Sequence, residues 1–86
     1  MRKFIFEWYK KEKYGEPIVR KNEITVSADI KDIGKAAEAA TNLFTKSFGS
    51  LKKNEIKTIQ EINEKGEFVG EVITPVNGTT IEPTRR

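Results

Sequence analysis

Residues 3–11 read Lys-Phe-Ile-Phe-Glu-Trp-Tyr-Lys-Lys, and this short stretch decides how the chain folds. Large apolar residues stand at every second position, so Phe4, Phe6 and Trp8 share one face of an extended strand. Ile5 and Tyr9 share the other face with charged neighbours. Aromatic and β-branched side chains favour a half-buried strand. The stretch therefore predicts a first strand whose aromatic face packs against another layer.

The second strand and the helix are predicted from turn and capping signals downstream. Tyr14-Gly-Glu-Pro17 is a turn sequence, and residues 18–26 resume an apolar strand pattern that completes a hairpin. Ser27 or Asp29 is expected to cap a helix whose apolar residues recur at three- and four-residue spacing, and Gly49 is expected to end it. The helix is rich in alanine, which leaves a slim surface for close packing on a sheet.

The remaining chain predicts a second hairpin. Residues 54–62 carry three isoleucines at three-residue spacing, which suits a helix, but their β-branched density and the Asn63–Gly66 turn favour a strand. Residues 67–74 form the next strand, with apolar residues on both faces, and Pro75 ends it. Within that strand, Gly70 indicates a bulge or an aromatic ring lying over the backbone.

These elements predict one α+β domain over residues 1–75 with the order hairpin–helix–hairpin (ββαββ). The economical arrangement is a four-stranded sheet with the helix across one face. The β-grasp arrangement, in which strands 1 and 4 are central and parallel, is one way to build it, and an antiparallel meander is the alternative. Residues 76–86 are expected to be a C-terminal tail or a short edge strand. A chain of 86 residues has room for one modest core.

The composition excludes several kinds of functional site. The sequence has no cysteine and no histidine, which excludes thiolate nucleophiles, disulfides, zinc fingers and histidine acid–base catalysis. It has no phosphate-binding glycine loop and no serine nucleophile elbow. The carboxylate pairs Asp29–Asp32 and Glu61–Glu64 are explained by helix-terminal charge and by a solvated turn. No apolar run is long enough to span a membrane. The expectation is a non-enzymatic, cofactor-free protein of the cytoplasm.

The sheet face away from the helix is the first candidate interaction surface. If the aromatic face of strand 1 meets the helix, and Phe68 and Val72 of strand 4 also point inward, the outer face carries apolar residues from both strands. Apolar patches on an uncovered sheet often mark protein interfaces. The partner is expected to be an unidentified protein or a second copy of the chain in a homodimer. The predicted interface comprises Ile5, Tyr9, Val69 and Ile73.

The basic residues of the first hairpin form the alternative surface. The net charge is +3, and residues 1–25 hold seven Lys and Arg against four Glu. The alternative prediction is therefore a nucleic-acid-binding accessory protein. This excess is mild for a nucleic-acid binder, so the protein interface is the leading expectation. The phosphate contacts would be Lys10, Lys11, Lys13, Arg20 and Lys21.

Three segments of the chain also carry a resemblance to known sequences. They are Phe6-Glu-Trp8, the stretch from Asn42-Leu-Phe44 to Phe48-Gly-Ser-Leu-Lys-Lys53, and the stretch from Ile59-Gln-Glu-Ile62 to Ile73-Thr-Pro75. These segments resemble small uncharacterised proteins of phages and integrative elements in low-GC Gram-positive bacteria. The likeness spans residues 4–75 and brings no known active site. It implies an accessory or host-interaction role.

Overall fold

The computed structural model describes residues 1–11 and 15–74, and it has the predicted order of elements. Residues 54–62 form a strand, as favoured, and not a helix. The prediction for residues 76–86 lies outside the described residues. The elements are β1 (Arg2–Lys10), β2 (Arg20–Val26), α1 (Ile33–Phe48), β3 (Asn54–Ile62) and β4 (Phe68–Ile73).

The four strands form one sheet in the order β2-β1-β3-β4, and every neighbouring pair is antiparallel. The predicted four-stranded sheet with one helix is confirmed. The β-grasp arrangement is wrong, because β1 and β3 are central and β4 lies at an edge. A plain meander is wrong as well, because the connection through α1 carries the chain from β2 across β1 to β3. The two nine-residue strands occupy the centre, and the shorter β4, which contains a glycine, lies outside them.

Helix α1 begins one turn later than the capping signals predicted. Its N-cap is Asp32, whose carboxylate accepts a hydrogen bond of 2.9 Å from the Lys35 amide. The Ser27 hydroxyl instead accepts from the Asp29 amide in the preceding turn. Gly49 ends the helix as predicted, with a φ of 117° that favours glycine and an amide that donates to the Thr45 carbonyl.

The core lies between α1 and the aromatic face of β1. Phe44 is the central contact on the helix side: its ring stacks on Phe6 at 5.3 Å and meets Trp8 edge-on at 5.0 Å between ring centres. The Trp8 indole N–H donates to the Asn22 side-chain oxygen of β2 over 2.8 Å, so its polar group is satisfied despite burial. The fully buried residues around this contact include Phe4, Ala36, Ala37, Ala40 and Ile59.

Strand β4 turns the opposite set of side chains toward the helix from the set that was predicted. Phe68 is 61% exposed and Val72 is 38% exposed, although both were expected in the core. Ile73, expected on the outer face, is only 1% exposed and pairs with the core residue Ile59. The alternation of β4 could not decide this, because apolar residues occupy both of its faces and a shift of one residue exchanges them.

The predicted bulge at Gly70 is confirmed, but the reason for the glycine differs from the predicted aromatic contact. The register pairs Glu61 with Val69 and Ile59 with Ile73, so three residues of β4 lie opposite one of β3. Gly70 has a φ of 76°. A side chain there would first meet the Ile33 methyl at 4.0 Å, and no aromatic ring of the described residues lies that close. Glycine is therefore required by backbone conformation.

The central position of Phe44 yields a first prediction. Phe44→Ala should lower the free energy of unfolding by about 3–5 kcal/mol, because the ring is fully buried and its removal leaves a cavity. Phe48→Ala is the matched control, since that ring contacts the same cluster but is 37% exposed. It should cost only about 1–2 kcal/mol. Urea unfolding measures both, and equal losses would mean that the core is centred elsewhere.

Candidate functional site

The sheet surface opposite α1, called here the open face, has a concavity of about 290 Å³ between its strands. Phe68 and Val72 of β4 line it together with Ile5 of β1. The strand pairing assigns further side chains to the same face. The open face comprises Lys3, Ile5, Glu7, Tyr9, Lys21, Glu23, Thr25, Glu55, Thr58, Gln60, Ile62, Phe68 and Val72.

A polar group centred on Glu7 borders this concavity. The Glu7 carboxylate accepts a hydrogen bond of 3.0 Å from the Thr58 hydroxyl. Its second oxygen lies 3.5 Å from the Lys21 ammonium group. The ion pair is largely solvated and contributes little to stability. Its effect is to hold charged groups beside the apolar residues, which is the usual arrangement of a polar rim around an apolar contact.

Tyr9 and Glu55 form a second polar contact at the end of the open face. The strand pairing places them opposite each other on β1 and β3. Partial desolvation of the half-buried ring and, second, the Glu55 carboxylate raise the pKa of the Tyr9 hydroxyl above its ordinary value near 10. Tyr9 therefore stays a neutral hydrogen-bond donor throughout the physiological pH range.

The structure places only two of the four predicted interface residues on the open face. Ile5 and Tyr9 lie on the open face as expected. Val69 and Ile73 do not: Ile73 is in the core, and Val69 pairs with Glu61 on the helix side of the sheet. Phe68 takes their place on the open face, together with Val72.

The turn before β4 carries the signal that could have identified Phe68. In the turn, the Asn63 amide donates to the Glu67 carbonyl over 2.9 Å, and Gly66 has a φ of 83°. Such a short glycine-containing hairpin loop fixes the register of its strands, and here it sets Ile62 opposite Phe68. Ile62 in turn pairs with Lys3, which puts Phe68 on the face away from the helix.

Cations gather at one end of the sheet, in part as predicted. Lys10 and Lys11 lie at the end of β1, and the loop before β3 brings Lys52 and Lys53 beside them. The Lys11 amide donates to the Lys53 carbonyl over 2.8 Å. Sequence reasoning missed the two loop lysines, because only tertiary contact brings them to β1. The basic end comprises Lys10, Lys11, Arg20, Lys52 and Lys53.

Three predicted phosphate contacts are engaged within the protein. The Lys11 ammonium group donates to the Leu51 carbonyl over 2.9 Å. The Arg20 guanidinium lies 5.5 Å from the centre of the Trp8 ring, a cation–π distance. Lys21 pairs with Glu7 on the open face. Lys13 lies outside the described residues.

One carboxylate in each of the pairs Asp29–Asp32 and Glu61–Glu64 has a structural role. Asp32 caps α1, and Glu61 accepts two hydrogen bonds of 2.8 and 2.9 Å from the Arg2 guanidinium. Arg2 also donates to the Ile30 carbonyl over 2.9 Å, which ties the segment before α1 to β3. Over residues 1–11 and 15–74, no group of three or more acidic side chains is placed to hold a metal ion.

The comparisons with known proteins found no matching family model, no matching curated protein and no matching solved structure. Within the part of the chain that the structure describes, no helix has the length and apolar character needed to cross a bilayer.

The contact between Tyr9 and Glu55 gives a prediction for pH dependence. The raised pKa means that folding favours the neutral phenol, so this contribution to stability is present below pH 10 and is lost as the pH rises through the folded-state pKa. In a Tyr14→Phe background, tyrosinate absorbance should give a pKa above 10 for the folded protein. Glu55→Gln should bring that pKa back toward 10. An unchanged pKa in Glu55→Gln would contradict the placement of the two side chains.

Proposed function

We propose that this protein is a small non-catalytic protein–protein interaction module that binds its partner through the open face. The observation that carries the proposal is the exposure of Phe68, the first residue of β4, 61% of whose surface is in contact with solvent. Solvated sheet faces usually display polar residues. Exposed aromatic residues beside a concavity are typical anchors of protein interfaces.

The neighbours of Phe68 support the same proposal. Ile5 and Val72 surround the concavity with it, and Glu7 and Lys21 border the apolar centre with charge. The partner is a second copy of the chain or another protein with a complementary apolar group. In the setting that the resemblance to mobile-element proteins implies, the module has an accessory or host-interaction role in the cytoplasm.

A second candidate function is nucleic-acid binding at the basic end. The observation that favours it is the approach of Lys52 and Lys53 to Lys10 and Lys11, which raises the local density of positive charge above that of the first hairpin alone. Phosphate contacts through these lysines would release counterions, so such binding would weaken steeply with salt.

The open-face proposal predicts that replacing one valine of β4 weakens binding and that replacing another does not. Val72 and Val69 are each 38% exposed, but they lie on opposite faces of the sheet. Val72→Ser should weaken self-association or partner binding about tenfold, because it removes apolar area from the contact. Val69→Ser is the matched control and should leave binding within about twofold. Sedimentation velocity measures self-association, and titration with the captured partner measures hetero-association.

Salt dependence separates the two candidate functions. Binding through the open face should change little between about 50 and 300 mM salt, because burial of hydrocarbon drives it. A triple variant with Gln at Lys10, Lys11 and Lys52 should bind as the parent does. Association that this variant loses, and that Val72→Ser retains, would replace the open-face proposal with the nucleic-acid one.

A further inference from the structure

A groove of about 420 Å³ lies between α1 and the C-terminal end of β2, where Thr25 and Val26 line it. Val26 and Ile30 line one wall of it. On α1, Ala39, Leu43 and Lys46 follow one another at four- and three-residue spacing and form the other wall. Leu43 is 41% exposed there. The groove is thus apolar and open, and it shares no lining residue with the concavity of the open face.

The edge of β2 beside this groove is a regular template for another strand. Among the described residues β2 pairs only with β1, so no described strand pairs with the backbone N–H and C=O groups on its outer side. Its register with β1 runs without a shift from the pair Arg2–Val26 to the pair Trp8–Arg20. The other edge strand, β4, is interrupted by the bulge at Gly70. Of the two edges, β2 is the one suited to continuous pairing.

We infer that the β2 edge and this groove form a binding site for an extended segment of a partner protein, which adds to the sheet as a fifth strand. The backbone of the segment pairs with β2, and every second side chain points to the helix side of the sheet. Those beside the C-terminal end of β2 enter the groove near Leu43. An extended segment fits better than a helix, because a helix satisfies its own backbone groups and would leave those of β2 unpaired.

The charge at the groove specifies one end of the bound segment. Lys46 is the one charged residue among those that line the groove in the described part of the chain. The residues of β2 that line the groove with Lys46 are Thr25 and Val26, at the C-terminal end of that strand. Lys46 therefore stands beside the C-terminal end of β2. The segment that fits has alternating apolar residues and an acidic residue at this end.

A displayed library of random peptides of about eight residues, long enough for one strand, tests the inference. Selection on the parent protein should recover peptides with alternating apolar residues and an acidic residue. As fluorescent synthetic peptides they should bind with a Kd on the order of 10 μM. Leu43→Gln should weaken binding about tenfold, and Lys46→Glu should select basic in place of acidic residues. Failure to recover any peptide with a Kd below about 1 mM would overturn the inference.

Two controls separate this site from the open face and from a simple apolar contact. Phe68→Ser should leave peptide binding unchanged, so the result does not depend on whether the open face is an interface. N-methylation of successive peptide amides should abolish binding at alternate positions, because every second N–H points toward β2. Uniform tolerance of N-methylation, or amide shifts on β4 in place of β2 by NMR, would overturn the proposed strand pairing.

Discussion

The packing of the aromatic face of β1 against the alanine face of α1 is the constraint on which the rest of the structure depends. Alanines keep that side of the helix slim, so Phe44 can reach between Phe6 and Trp8 and contact both rings. Because β1 is a central strand, its orientation fixes which side of each neighbouring strand is buried. The same packing turns Ile5 and Tyr9 outward. The candidate interface is thus a consequence of how the core is built.

The sequence predicted an element correctly where its local pattern was compatible with only one structure. The alternation from Phe4 to Trp8 predicted the buried face of β1, and Gly49 predicted the end of the helix. The phase of β4 could not be read from its own residues, because both of its faces are apolar and only pairing with β3 decides between them. The strand order also escaped prediction, since it depends on long-range pairing. Two of the four residues predicted for the open face, Val69 and Ile73, therefore lie on the helix side of the sheet, and Phe68 was missed.

Charged side chains have different effects at the two ends of β1. Arg2 binds Glu61 through two hydrogen bonds and also the Ile30 carbonyl, so it joins β1, β3 and the segment before α1. At the opposite end of β1, lysines from the loop before β3 approach those of the first hairpin. Local charge counts underestimate this basic end, because its members are distant in sequence. Charged groups at one end of the sheet thus link two strands and the segment before α1. Those at the other end increase the local positive charge.

The central claim is that β4 buries Ile73 and displays Phe68, and NMR cross-strand contacts test it most directly. Nuclear Overhauser effects from the Ile73 methyl groups should reach Ile59, its partner in β3. Phe68 ring protons should show contacts with Ile62 and strong broadening by a soluble paramagnetic agent, since the ring is exposed. Contacts between Val72 and Ile59, with Phe68 protected from the agent, would contradict the account, because β4 would then present its other face to the helix.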